Sequence, residues 1–326
     1  MSIFQIDRVS GLSLAEFNRH FVEPGLPVVL KDATKDWPAI SKWTREYLES
    51  QAGVVSVKLR SIDPRKAADH TRFEEMTLRS YLQQVDLTKP DDPILAELPL
   101  KSVFPQLLSD IGSFPYSAGS ADSLSIMVSS NSRAPLHYHT FTEAISHQIT
   151  GFRRFLLFPP NETSKLDPRP PTGPLPNFGR RVFREDEAER APERIFDAKL
   201  SPGEALYIPR HWWHTVFASG NLSVLLVHFF EYKHSACPHN EVTCRIELLR
   251  RATIEAISTY QSAFESSSTF EERCFYFQRL SPLFKVARDE DMENRFLSKA
   301  AEVFPQFSEE RIRIEARLVE LNAKPR

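Results

Sequence analysis

The sequence predicts a mainly β fold with flanking helices, arranged in three regions along the chain. Between residues 121 and 232, short apolar runs alternate with polar positions and end at turn residues, which is typical of β-strands. Residues 1–120 mix strand-like and helix-like segments, whereas residues 233–326 carry apolar side chains at the spacing of helix faces. We therefore expect an N-terminal α/β region, a β core and a C-terminal helical region.

The N-terminal region contains several local signals for short elements. Ser13 followed by Glu16 forms a capping-box pattern, which predicts a helix that begins after Ser13. The apolar run at 27–30 indicates a buried strand. Residues 94–111 combine apolar side chains with prolines, which predicts short helices separated by corners. The remaining expected elements are a strand at 54–59 and helices that begin after Thr44 and Thr77.

The β core carries the most regular strand signals. They occupy residues 124–128, 155–158, 205–209 and 223–232. Residues 161–199 differ because prolines, arginines and acidic residues replace the apolar runs. We expect a long surface loop there, which is either a lid beside a site or a solvated excursion.

The C-terminal region is expected to be helical, because six residues follow the three-and-four spacing of one helix face. These are Ile246, Leu249, Thr253, Ile257, Tyr260 and Phe264. Residues 270–280 and 311–321 predict two more helices. Such helices can cap the β core, pack within one subunit or form a homodimer, and the sequence leaves all three open.

Composition narrows the class of protein. The net charge of −2 gives no general case for binding nucleic acid or membranes. Three cysteines favour a reducing compartment over a disulfide framework. No segment approaches the roughly 20 apolar residues that a membrane span requires. We therefore expect a soluble, cytoplasmic protein.

Three histidines form the main candidate site. His137 and His139 stand two residues apart, so on a strand their side chains point to the same side. His214 follows the distant segment 203–209, which has the pattern of a tight strand–turn–strand unit. Converging imidazoles suit iron, copper, nickel or zinc and leave coordination positions free for other ligands. We therefore predict a divalent transition-metal site that is also catalytic.

Glu143 is a possible fourth metal ligand. A straight strand would place it about 13 Å from His139, at about 3.3 Å per residue. It can share the metal only if residues 140–142 make a turn. On a six-coordinate metal ion, three histidines leave three positions for other ligands. A fourth protein ligand would leave only two, so the role of Glu143 determines how many non-protein ligands can bind the metal at once.

Several segments resemble the Jumonji-C hydroxylases, namely Pro135-Leu136-His137-Tyr138, Gln148 to Gly151, Leu157 to Pro160 and Pro202 to His214. The nearest likeness is to the branch that contains the asparaginyl hydroxylase of hypoxia-inducible factor. The resemblance covers residues 12–232. It implies a double-stranded β-helix barrel of the cupin or jelly-roll type. It also implies Fe(II), 2-oxoglutarate and O2, with hydroxylation of a protein or a small molecule.

The first histidine motif departs from that family, since His139 stands where the family has aspartate. The spacing of His137, His139 and Glu143 resembles instead the first motif of metal-binding cupins. That second resemblance implies a site of three histidines and one glutamate, which often works without 2-oxoglutarate.

The cosubstrate pocket implied by the resemblance also differs. The family's cosubstrate-binding lysine falls on Arg153, which can hold a carboxylate with two parallel hydrogen bonds. A late-strand asparagine of the family falls on His228, and a threonine falls on Ala134, which has no side-chain donor. We expect Arg153 and His228 to line the cosubstrate pocket.

Three functions are compatible with these patterns. The first is an Fe(II)- and 2-oxoglutarate-dependent hydroxylase, with an unknown protein or small-molecule substrate. The second is a cupin-type dioxygenase with a three-histidine, one-glutamate site and no 2-oxoglutarate. The third is a non-catalytic barrel that binds a metal or a partner, because fold alone does not determine function.

Overall fold

A computed structural model describes residues 3–62, 71–87, 89, 92–116, 124–172, 175–184, 194–230 and 241–323. The described strands are β1 (Ile3–Gln5), β2 (Arg8–Val9), β3 (Val28–Leu30), β4 (Ser56–Ile62), β5 (Thr71–Thr77), β6 (Ile94–Pro99), β7 (Leu124–Ser129), β8 (Arg133–His137), β9 (Glu143–Phe158), β10 (Ile195–Leu200), β11 (Ala205–Ile208) and β12 (Trp213–Phe230). The described α-helices are α1 (Leu14–Phe17), α2 (Pro38–Lys42), α3 (Arg45–Ala52), α4 (Leu78–Leu82), α5 (Leu100–Val103), α6 (Glu241–Ser266), α7 (Phe270–Ala287), α8 (Glu290–Val303) and α9 (Glu309–Ala323).

These elements confirm the predicted mainly β fold with flanking helices, consistent with a cupin or jelly-roll architecture. Within the described residues, twelve strands join one mixed sheet with the order β2-β3-β11-β9-β12-β7-β6-β4-β5. Strand β10 pairs with β1 and β9, and β8 pairs with β12. The chain forms two compact units, residues 1–244 and 245–326.

Two long strands, β9 and β12, form the centre of the first unit and pair with each other along most of their length. The pairing shifts register between Ser219 and Val224, opposite Gly151. Gly151 has φ of +71°, and a Cβ there would lie 2.3 Å from the carbonyl oxygen of Leu222. Only glycine fits so close to the neighbouring backbone. Gly151 therefore allows β9 and β12 to bend together while they stay paired.

The N-terminal predictions are confirmed at the helix starts. Ser13 accepts a hydrogen bond from the Glu16 backbone N–H, and the Glu16 carboxylate accepts one from the Ser13 N–H. The side chains of Thr44 and Thr77 accept hydrogen bonds from the backbone N–H groups of Tyr47 and Ser80 and so cap α3 and α4. The helices predicted for 94–111 are only partly correct, because β6 precedes α5 and a 3-10 helix at Pro105–Asp110.

The long loop expected at 161–199 contains more structure than the composition indicates. It begins in a 3-10 helix at Pro160–Leu166 and ends in β10, which pairs with β9. Four of the six residues of β10 are buried, although the neighbouring segments are rich in charged residues. The predicted lid includes residues 173–174 and 185–193, which lie outside the described residues.

The second unit is helical, as predicted, and has its own apolar core around Phe264, Leu280, Phe284, Phe296 and Ile314. Helices α6, α7 and α9 cover the predicted segments, whereas α8 was not predicted. The expected boundaries at 120/121 and 232/233 lie outside the described residues. The homodimer through these helices stays a prediction. None of the helices described here has the length and hydropathy needed to cross a lipid bilayer.

Candidate metal centre

Three histidines from two distant segments meet in the first unit. His137 ends β8 and pairs directly with His214 near the start of β12, and His139 follows two residues later. One ring nitrogen from each lies within 4.8 Å of the others. The ring centroids of His137 and His139 lie 4.2 and 4.7 Å from that of His214. The structure thus brings together the histidines that the sequence predicted.

Hydrogen bonds orient two of these imidazoles. The Nδ1 atom of His137 lies 2.8 Å from the carbonyl oxygen of Pro135, and that of His214 lies 3.0 Å from the carbonyl oxygen of Trp212. A carbonyl only accepts, so each Nδ1 carries the proton and each Nε2 keeps its lone pair for a metal. The Nδ1 atom of His139 is buried and has no hydrogen-bond partner. This donor set fits a transition-metal ion.

Burial keeps the three imidazoles neutral. It lowers the pKa of His137, lowers that of His214 well below the ordinary value, and with the neighbouring His137 lowers that of His139 to about 3. Because a metal binds the deprotonated ring, the site is ready for a cation at neutral pH without first losing protons.

His211 holds the two histidine segments together. Its backbone N–H donates to the carbonyl oxygen of His139 at 3.2 Å, and its Nε2 lies 3.1 Å from the carbonyl oxygen of Thr140. Its φ of +69° is in the left-handed region, which is costly for a residue other than glycine. His211 therefore positions the turn after His139, a role that the sequence analysis missed.

Glu143 does not join the three histidines, which corrects the expected fourth ligand. It begins β9 with its side chain fully buried, and its carboxylate accepts a hydrogen bond of 2.8 Å from the hydroxyl of Tyr207. Along β9, Ala144 and Ser146 face the barrel interior or its cavity, whereas Ile145 packs with Tyr207. Glu143 is thus on the face that points away from the histidines.

We expect Glu143→Gln to keep the full metal content of the wild-type protein, because its carboxylate bonds Tyr207 on the other face of the strand. The free energy of unfolding should fall by about 1–2 kcal/mol, since the hydrogen bond with Tyr207 is weakened. Metal analysis and urea unfolding measure the two effects. If the variant folds but loses its metal, Glu143 is a fourth metal ligand and the corrected assignment is wrong.

The three histidines line a cavity of about 300 Å³ that also contains Arg153. The guanidinium of Arg153 is buried and donates to the hydroxyls of Ser223 and Ser129 at 3.1 and 3.2 Å. Among the described residues, no carboxylate bonds it. Burial lowers the pKa of Arg153 to about 10, so it stays charged at neutral pH. The structure therefore places Arg153 inside the cavity, as predicted, and adds two serines that the sequence analysis missed.

His228 lies outside the cavity, which corrects its expected role in the cosubstrate pocket. Leu225, Val227 and Phe229 of β12 line the cavity, so His228 points to the opposite face of the strand. Its Nδ1 atom lies 3.1 Å from Nε2 of His147, and its ring stacks on Phe114. The expectation rested on the family position of His228, and strand alternation could not test it because alternation does not identify which face is the inner one.

The His147–His228 pair predicts acid sensitivity. His147 is fully buried, and burial together with His228 lowers its pKa well below the ordinary value. The unfolded chain therefore binds the proton more readily, so stability should be lost as pH falls below about 6.5, the ordinary histidine value. The expected slope is about 1.4 kcal/mol per pH unit for each such histidine.

Urea unfolding of metal-free protein between pH 8 and 5 measures this slope. The metal-site histidines contribute as well, so His147→Phe, which retains an aromatic ring beside Phe114, isolates the share of His147. Identical slopes for the variant and the wild-type protein would contradict the prediction.

A stacked ring covers one side of the histidine cluster. The ring of Phe178 lies 5.3 Å from that of His137 at an interplanar angle of 19°. The backbone of residues 177–179 is fixed beside β8 by hydrogen bonds between Tyr138 and Asn177 and between Gly179 and Leu136. Part of the predicted loop therefore forms a wall of the cavity, although its composition alone did not indicate this.

Comparison with known proteins identifies similar sequences. The model of the cupin-like domain matches residues 14–236. The chain is 30% identical to "Lysine-specific demethylase JMJ30" of Arabidopsis thaliana, over 65% of this chain and 52% of that protein. It is 27% identical to "Jumonji C domain-containing protein 5" of Drosophila melanogaster, over 65% of this chain and 56% of that protein.

A further relative carries two activities in its name. The chain is 26% identical to "Bifunctional arginine demethylase and lysyl-hydroxylase psr-1" of Caenorhabditis briggsae, over 68% of this chain and 61% of that protein. The chain therefore spans about half to three-fifths of the length of these relatives.

Proposed function

This chain belongs to the family of cupin-like, Jumonji-C domain proteins, and on that premise we propose that it is a metal-dependent oxygenase. More specifically, we propose an Fe(II)- and 2-oxoglutarate-dependent hydroxylase, whose substrate is a small molecule or a protein. The names of the relatives, which include demethylases and a lysyl-hydroxylase, support an oxidative activity.

The observation that carries the proposal is the buried guanidinium of Arg153 in the histidine-lined cavity. A buried charge is costly unless it is paired, and two serine hydroxyls do not neutralise it. A planar guanidinium matches a carboxylate with two parallel hydrogen bonds. The distal carboxylate of 2-oxoglutarate supplies this partner, while its oxoacid end is free to reach the metal.

The histidines would hold the metal and leave room for the other reactants. His137, His139 and His214 occupy three positions of a six-coordinate ion, and Glu143 on the opposite face does not take a fourth. When bound, Fe(II) supplies the redox chemistry that couples O2 reduction to conversion of 2-oxoglutarate into succinate and CO2. Apolar walls that include Val227 and Phe229 exclude water from this space.

The two alternative functions predict different experimental results. A dioxygenase that acts directly on its substrate needs no oxoacid, and a non-catalytic barrel needs no turnover. The position of Glu143 argues against the three-histidine, one-glutamate version of the former.

Succinate release coupled to O2 uptake tests the proposed function, with Fe(II)-loaded protein, 2-oxoglutarate and a reductant. We expect succinate to form in proportion to the O2 consumed, slowly when no other substrate is present. Iron, manganese, cobalt, nickel and copper forms are compared, and the His214→Ala protein serves as the inactive control. No oxoacid turnover with any bound metal would overturn the proposal.

A further inference from the structure

An ion pair lies where the cavity meets solvent. Arg60 of β4 and Glu97 of β6 both line the cavity that contains the three histidines. Their side chains are 31% and 39% exposed, and the guanidinium lies 2.7 Å from the carboxylate. The two opposite charges are thus accessible to a molecule that approaches the histidines from outside.

The ion pair belongs to the same cavity as the candidate metal centre. Arg60 and Glu97 line it together with the three histidines. A molecule held by the ion pair can therefore extend into the space that the histidines line.

Glu97 occupies an unusual backbone conformation. Its φ is +56°, in the left-handed region that residues other than glycine rarely adopt. The pairing of β6 with β7 shifts register between Leu95 and Leu98, which places Glu97 in a β-bulge. Bulges redirect side chains beside active sites, and such strain persists only where the surroundings require it. The strained conformation directs the carboxylate of Glu97 toward the entrance of the cavity.

The described lining of the cavity carries charges of both signs. Besides Arg153 and the histidines, the charged residues among the described ones that line it are Arg60, Arg133, Asp92 and Glu97, two cations and two carboxylates. A substrate with a single charge can pair with only one member of the Arg60–Glu97 pair. A substrate with both charges gives each member a new partner. The cavity volume of about 300 Å³ is at the small end for ligand sites, which favours a small substrate.

We infer that the Arg60–Glu97 pair receives a small zwitterion, a free α-amino acid, with its carboxylate on Arg60 and its ammonium on Glu97. The side chain of the amino acid then points toward the three histidines. This inference rests on the proposed function and assigns the substrate class of that same site.

Binding measurements on Mn(II)-loaded protein without O2 test the inference, with 2-oxoglutarate added first and its binding measured separately. The probes are the proteinogenic amino acids and three capped forms of each: the methyl ester, the N-acetyl acid and the N-acetyl methyl ester. At least one free amino acid should bind at least about tenfold more tightly than all of its capped forms.

Matched variants assign the effect to the ion pair. Glu97→Gln should remove the preference for the free amino acid over its N-acetyl form, and Arg60→Gln should remove the preference over its methyl ester, while metal and 2-oxoglutarate binding stay unchanged. Glu97→Gly should act as Glu97→Gln does, and it keeps the bulge because glycine accepts this φ. Arg79→Gln is the control, since it removes an ion pair with Glu49 that does not line the cavity.

Three outcomes would overturn the inference. They are a methyl ester that binds as tightly as the free amino acid, a preference that survives both variants, and binding of no free amino acid. If 2-oxoglutarate itself does not bind, the proposed function fails separately. In that case, binding of the same amino acids and capped forms to the Mn(II)-loaded protein and its variants, without 2-oxoglutarate, tests the role of the ion pair.

Discussion

Replacing His214 with alanine is expected to abolish metal binding by this protein. His214 is the most buried of the three histidines, and its ring is the one closest to both others. Loss of an outer-sphere partner alone costs about 10–100-fold in metal affinity, so loss of a ligand should exceed about 100-fold. Metal content after purification and titration with Mn(II) or Co(II) measure this effect.

The control for this variant is His20→Ala, because His20 is exposed and lies outside the site. His20→Ala should keep the wild-type metal content. A His214→Ala protein that is folded, by circular dichroism and urea unfolding, and still binds one equivalent of metal with unchanged affinity would refute the metal centre. The proposed oxygenase activity would then be refuted as well, and only the description of the fold would remain valid.

Replacing Arg153 with glutamine should weaken 2-oxoglutarate binding by at least about 30-fold, with metal binding unchanged. Loss of one partner from a buried, hydrogen-bonded charge pair costs about 2–5 kcal/mol. Arg153 lines the cavity, so this cost should appear directly in the dissociation constant of the oxoacid. Calorimetric titration of Mn(II)-loaded protein with 2-oxoglutarate, without O2, provides the measurement.

The adjacent arginine supplies a close control. Arg154 points to the other face of β9 and bonds the carboxylate of Asp197 at 3.0 and 2.9 Å. Arg154→Gln should therefore cost stability but leave the oxoacid affinity unchanged. Arg153→Lys should give an intermediate affinity, because an ammonium keeps the charge but not the planar pair of donors. Equal oxoacid affinities for the wild-type and Arg153→Gln proteins would exclude Arg153 as the anchor.

The sequence predicted the histidine cluster, although the expected strand geometry holds only in part. Residues two apart on a strand share a face, but β8 ends at His137 and His139 lies beyond it. His214 was predicted from the pattern of segment 203–209, and its place beside His137 depends on the pairing of β8 with β12, which no local signal determines.

Glu143 and His228 were expected at the site because they fall on motif positions of similar families, and the sequence offered no independent check of the strand face on which each side chain lies. Alternation groups the side chains of a strand into two faces, but when both faces are buried, hydrophobicity cannot tell the cavity from the outer packing layer. Here both faces of β9 and β12 are covered. Ser129 and Ser223 were missed for a related reason, because an isolated serine in an apolar strand reveals its role only when its partner across the sheet is known.

The bends and bulges were also beyond prediction. Neither Glu97 nor His211 is a glycine or asparagine, although His211 stands where the similar motif of metal-binding cupins usually has glycine. Both conformations are imposed by the surrounding sheet and by contacts with the histidine segments.

Strand β12 carries both His214, one of the metal-site residues, and Ser223, which bonds Arg153. A slip of β12 by one residue against β9 would turn His214 and Ser223 outward at the same moment. A change in the register of the whole strand would therefore disrupt the proposed metal ligand and the serine that holds Arg153 together. The register shift between Ser219 and Val224 separates these two residues, so a slip confined to one half of β12 would displace one of them and leave the other in place.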